Sequence, residues 1–65
     1  MAGETSASIT AIDYDAARQR LTVTFAGGQS IVHIGVPGGI HAAFEAADHR
    51  GSFYVERIRD YYRRA

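Results

Sequence analysis

Cysteine is absent from the 65 residues, so no disulfide can staple the fold and no cysteine-based zinc site can form. A chain this short buries only ~60% of the surface its unfolded form exposes. Stability must therefore come from a thin core, or from a partner or a second copy such as a homodimer. Lysine is absent too, and all seven basic residues are arginine. Arginine is planar and carries five donors suited to phosphates, carboxylates and aromatic faces; high-GC coding would produce the same bias. No apolar run approaches the ~20 residues needed to cross a bilayer. Met1-Ala2-Gly3-Glu4-Thr5-Ser6 lacks the basic start and apolar stretch of a secretory signal. The expectation is a cytoplasmic protein with no membrane partner. There is no repeat, low-complexity tract or linker, so residues 8–65 are expected to form one domain behind a disordered tail of residues 1–7.

What is present is unevenly placed. The formal charge sums to zero. Residues 1–48 set Arg18 and Arg20 against Glu4, Asp13, Asp15, Glu45 and Asp48, a net −3. Residues 49–65 set Arg50, Arg57, Arg59, Arg63 and Arg64 against Glu56 and Asp60, a net +3. A basic end of this kind hints at a polyanion, or at self-association between unlike halves.

The hydrophobic pattern starts with the period of strands. Ser8-Ile9-Thr10-Ala11-Ile12 is rich in β-branched residues and reads as a first strand, followed by a loop over Tyr14–Gln19. Arg20–Phe25 alternates strictly, with Leu21, Val23 and Phe25 on one face and Arg20, Thr22 and Thr24 on the other. That is a strand with one buried face and one wet face. Gly27-Gly28 marks a tight hairpin, because glycine accepts positive φ. Gln29–Ile34 returns as a third strand, and short connections make the three an antiparallel meander. Pro37 suits the first turn of a helix. Ile40, Ala43, Phe44 and Ala47 then recur at helical spacing. Gly51 is expected to stop this helix and Ser52 to cap a second one. On the second, Tyr54, Val55, Ile58, Tyr61 and Tyr62 form a wide aromatic-apolar stripe. The predicted class is α+β, a three-stranded antiparallel β-meander followed by two short helices in the order β-β-β-α-α. One sheet face takes the helices and the other faces solvent.

Four segments, in this order and spacing, resemble the KTSC domain, named for its occurrence at the C-terminus of some lysyl-tRNA synthetases. They are Ile12-Asp13-Tyr14-Asp15, the strand and glycine turn Leu21–Gly28, Val36-Pro37, and Gly51-Ser52-Phe53-Tyr54 with Ile58-Arg59-Asp60 and Tyr62. The resemblance covers about residues 8–64. It implies a small module, found also as stand-alone bacterial and phage proteins, with no enzymatic activity attached. The synthetase fusion implies contact with RNA by analogy alone. Ile31 and His33 stand where the family usually has aromatics, His49 where it has serine and Val55 where it has asparagine. If those aromatics stack on bases in relatives, this chain has lost at least one platform.

Chemistry-bearing residues are few. His33, His41 and His49 and the serines at 6, 8, 30 and 52 stand in no nucleophile motif, and a catalytic triad needs its members in mutual reach. The expectation is a protein that is not an enzyme and uses no cofactor. His41, Glu45 and His49 follow at i, i+4 and i+8 and could ligate one ion, but the same spacing describes an ordinary wet helix face. The candidate binding residues are Arg50, Tyr54, Arg57, Arg59, Tyr61, Arg63 and Arg64. Placed at 100° per residue, Arg57 and Arg64 flank one side of the aromatic stripe and Arg59 and Arg63 the other. Arginine pairs phosphates and tyrosine stacks on bases. Equally, Asp60 can pair with Arg63 or Arg64, Glu56 with Arg59 or Arg63, and the tyrosines can be core. His33 joins the candidates if it and Ile31 face solvent; otherwise it is a histidine bonding a neighbouring strand. Two functions remain open. The favoured one is a protein-interaction module, an accessory or inhibitor of a larger machine, with Tyr and Arg at the interface or with the edge of the third strand pairing a partner. The other is an RNA or nucleic-acid binder, against which zero net charge counts.

Overall fold

The computed structural model describes residues 9–65. The tail expected over residues 1–7, and Ser8 at the start of the first strand, lie outside the described residues. Strands β1 (Ile9–Asp15), β2 (Arg20–Phe25) and β3 (Ser30–His33) form one antiparallel sheet in the order β1-β2-β3. Helix α1 (Gly38–Ala46) and a short α2 (Arg50–Phe53) follow. The chain then continues without a break into a π-helical segment, Tyr54–Ile58. The β-β-β-α-α order is as the sequence predicts.

The hairpin turn sets the register. The Phe25 N–H donates to the Gln29 carbonyl and the Gly28 N–H to the Phe25 carbonyl, both at 2.8 Å. Gly28 sits at φ 94°, a conformation that costs glycine little. From this closure Val23 falls opposite Ile31 and Leu21 opposite His33. On the other side Val23 pairs Ile12, and Leu21 pairs Tyr14. Directly opposed residues share a face, so Ile12, Tyr14, Leu21, Val23, Ile31 and His33 all point to the helices. Asp13, Thr22 and Val32 point the other way.

The core is Leu21, Val23, Val36, Phe44, Tyr54 and Ile58. Burying each large side chain contributes about 1.5–3 kcal/mol. Phe44 is the anchor of α1 and stacks on Phe53 with centroids 5.4 Å apart. Tyr14 adds a tie from the sheet. Its hydroxyl donates to the Val36 carbonyl at 2.6 Å, and its ring stacks on His41 at 4.5 Å. These contacts explain why Tyr14 and Asp15, expected in a loop, belong to β1.

The second half of the chain departs from the expectation. Helix α1 ends at Ala46, because Ala47 is extended at ψ 139° and its N–H turns back to the Phe44 carbonyl. Gly51 does not stop it; that glycine lies inside α2. Ser52 does not cap α2 either, since His49 takes the N-cap position and no side chain caps it. Ala43, counted in the apolar stripe, is exposed. The second helix does not run on to Arg64. The Arg59 N–H reaches back five residues to the Tyr54 carbonyl at 2.8 Å, which widens the coil. A turn follows, and the terminus comes back along β3. The Ile34 N–H donates to the Arg63 carbonyl at 2.9 Å and the Ala65 N–H to the Val32 carbonyl at 2.8 Å, with His33 and Arg64 bridged antiparallel. The outer edge of β3 is thus covered by the chain's own end, and that edge is not open to a partner strand.

Candidate binding pocket at the hairpin end of the sheet

His33 is the node between sheet, helix and terminus. It is 0% exposed, which overturns its reading as part of a solvent-facing patch with Ile31. The cause is register: opposite Leu21, it must face inward. Its Nδ1 lies 3.0 Å from the Tyr62 carbonyl and its Nε2 2.9 Å from the Tyr54 hydroxyl. A carbonyl only accepts, so Nδ1 carries the proton and Nε2 accepts from Tyr54. Burial pushes the imidazole below its ordinary 6.5. The Tyr62 carbonyl opposes the shift, and the nearby Arg64 charge adds to it. Burial likewise raises the Tyr54 phenol above 10.0, while Arg64 and Arg59 pull it back. Arg59 and Arg64 line the same opening as Tyr54.

Tyr54 is 4% exposed. It serves as a wall and not as a free contact residue, because its ring packs edge-on to Phe25 at 5.5 Å and its hydroxyl is held by His33. Above it opens a pocket of about 220 Å3 between the β2–β3 hairpin and the helices. Phe25, Ile31, Tyr54 and Val55 make its apolar walls, and Gln29, Gly51, Arg59 and Arg64 complete the lining. Cofactor and drug-sized sites run to about 300–1,000 Å3, so this one accommodates a single large side chain.

The remaining candidates scatter. Arg50 donates from Nη2 to the Glu45 carbonyl at 3.1 Å and so fastens α1 to α2. Arg57 sits over the Phe53 ring at 5.9 Å. Tyr61 is 71% exposed, not part of a buried stripe, because the turn after the π segment carries it outward. Arg63 is exposed, its carbonyl held by Ile34. The two flanks drawn from helical geometry do not exist, since residues 63–65 are not helical. Among the described residues the ion pairs are Arg18–Asp15 and Arg59–Asp60, and His41 Nε2 meets the Glu45 carboxylate, each at 3.4 Å. The pairings expected of Asp60 with Arg63 or Arg64, and of Glu56 with Arg59 or Arg63, are not made. The row His41, Glu45, His49 is also broken: His41 and Glu45 contact each other on α1, and His49 lies beyond its end.

Sequence reasoning placed Tyr54, Arg59 and Arg64 in the site and missed Phe25, Gln29 and Gly51 as its lining. The signal was available in the hairpin. A three-residue loop at Ala26–Gly28 puts Gln29 opposite Phe25 and Ile31 beside them on the inner face.

A family model for the KTSC domain matches residues 5–62. Among solved structures, the crystal structure of a KTSC domain protein from Yersinia pestis aligns at a TM-score of 0.86 and 26% identity, covering 94% of this chain and 86% of that one. No curated protein matches the chain. No helix among the described residues is long and apolar enough to cross a membrane.

Proposed function

The chain belongs to the KTSC domain family, and from that premise we propose that it is a non-catalytic module that binds another protein through its C-terminal end. One observation carries this reading. The backbone of residues 63–65 is fixed along β3, while Tyr61, Arg63 and Arg64 remain exposed and Arg64 lines an apolar pocket. Arginine and tyrosine are the residues that dominate interface energetics, and on a fixed backbone little main-chain entropy remains to be lost. The non-catalytic part is supported by His33, which spends both ring nitrogens on internal hydrogen bonds.

The nucleic-acid alternative keeps one supporting feature, the exposure of Arg57, Arg63, Arg64 and Tyr61. Protein is favoured because Tyr54 is buried, which leaves few aromatic faces for bases, and because the net charge is zero. Affinity capture from the native host decides between them. A partner that survives nuclease and is lost on Tyr61→Ala or Arg64→Glu supports the protein reading. Capture abolished by nuclease, with binding that falls steeply with salt, transfers the function to nucleic acid. Recovery unchanged by both substitutions moves the interface off the C-terminal end.

A further inference from the structure

Resting on the protein-binding reading, we propose that the pocket receives the C-terminal residue of a partner chain, an apolar side chain entering between Phe25, Ile31 and Val55 and its free carboxylate meeting Arg59 and Arg64. The pocket is small enough for one side chain and walled by apolar groups, so it selects an aliphatic or aromatic residue over an extended cofactor. Two arginines, Arg59 and Arg64, line the same opening. Arg64 has no carboxylate partner among the described residues. Arg59 meets Asp60 through Nη2 only, which leaves its Nε and Nη1 donors for a second acceptor. Arginine recognises carboxylates through paired N–H donors.

The pairing of requirements is what singles out a chain terminus. A chain terminus supplies an apolar side chain and a carboxylate from a single Cα. An internal aspartate or glutamate carries its charge on the side chain that would have to enter the apolar space, and burying that charge is costly. A base stacks on extended aromatic platforms, whereas the wall beside Phe25 is the aliphatic Ile31 and Val55. Asp60, which meets Arg59, is not among the lining residues, and its side chain is 70% accessible.

The test is an NMR titration of the 15N-labelled full chain. The probes are the pentapeptide Gly-Ser-Gly-Ser-Phe with a free carboxylate, the same peptide as its C-terminal amide, the peptide ending in glycine, and a short single-stranded RNA. The free acid should move the amides of Phe25, Ile31, Val55 and Arg64. The amide and the glycine peptide should bind at least ~10-fold more weakly, the scale of one charge-assisted contact or one buried side chain. Arg64→Gln should weaken the free acid by the same factor while the amides of β1 and α1, remote from the substitution, stay in place, which shows that the fold is kept. Equal binding of acid and amide, equal binding of the glycine peptide, or no shift at ~5 mM peptide overturns the inference. So does RNA that moves these amides when the peptides do not. If host capture yields an Arg64-dependent protein while the peptides fail, the terminal-carboxylate inference falls and the protein-binding reading stands.

Discussion

Replacing Tyr54 with phenylalanine removes one hydroxyl and little else. The ring's edge-on contact with Phe25 at 5.5 Å and its packing on Phe44 at 6.4 Å do not need the oxygen. What is lost is the 2.9 Å hydrogen bond to His33 Nε2, and His33 is fully buried. The orphaned nitrogen then keeps its desolvation cost with no partner, about 1–3 kcal/mol. At about 0.05–0.15 kcal/mol per residue, a domain of this length holds roughly 3–10 kcal/mol in all. The substitution should therefore remove a large fraction of the stability and lower Tm by about 4–8 °C for each kcal/mol lost. Urea unfolding followed by far-ultraviolet circular dichroism measures this directly. The midpoint should fall at unchanged slope, because the surface exposed on unfolding is the same. Tyr61→Phe is the control; at 71% exposure its hydroxyl should matter by no more than ~0.5 kcal/mol. A Tyr54→Phe loss as small as the control's would refute the reasoning, since the hydroxyl would then not be what satisfies the imidazole.

The His33 ring should titrate below 6.5 in the folded protein, because burial disfavours its charged form. The unfolded chain then binds the proton first, so the His33 contribution is complete above the unfolded value and is lost as pH falls through 6.5 to the folded value, by ~1.4 kcal/mol per unit of depression. A His33 Cε1 proton titrating at or above 6.5 contradicts this. Truncation after Tyr62 deletes the two bonds made by Arg63 and Ala65 and should cost about 2 kcal/mol at ~1 kcal/mol each. It also bares the β3 edge, so sedimentation should show more self-association than in the full chain; a truncated chain of equal stability and size is the contrary result. Gly28→Ala places a Cβ at φ 94°. Although no atom crowds it, the backbone strain should lower stability by about 1 kcal/mol or more, and an unchanged urea midpoint would count against the turn as described.

The sheet was legible because its determinants are local. Strict alternation in Leu21-Thr22-Val23-Thr24-Phe25 assigns faces, and Gly27-Gly28 supplies the one conformation that closes a short hairpin there. The inward direction of His33 was implicit in the same turn, since counting outward from a three-residue loop sets it against Leu21. The second half resisted because its determinants are tertiary. Tyr61 and Tyr62 continue a helical spacing, and nothing in that spacing shows a coil widening at Tyr54 to bring its hydroxyl to His33. Arg63, Arg64 and Ala65 have no strand periodicity. They lie along β3 because Val32 and Ile34 offer unpaired backbone groups on that edge. Gly51 and Ser52 carry terminator and cap chemistry, yet the break falls earlier at Ala47, where the chain turns extended before Asp48 and His49.

That fold-back joins stability to the candidate site. Arg64 reaches the pocket only because its backbone bridges His33, and His33 holds the carbonyl of Tyr62 immediately before that segment. The same imidazole fixes Tyr54, the wall of the pocket. One buried histidine thus positions an apolar wall with one nitrogen and a cationic rim with the other. A module too small for a second core can hold a candidate surface rigid in this way, since the groups that present the surface are also the ones that close the fold.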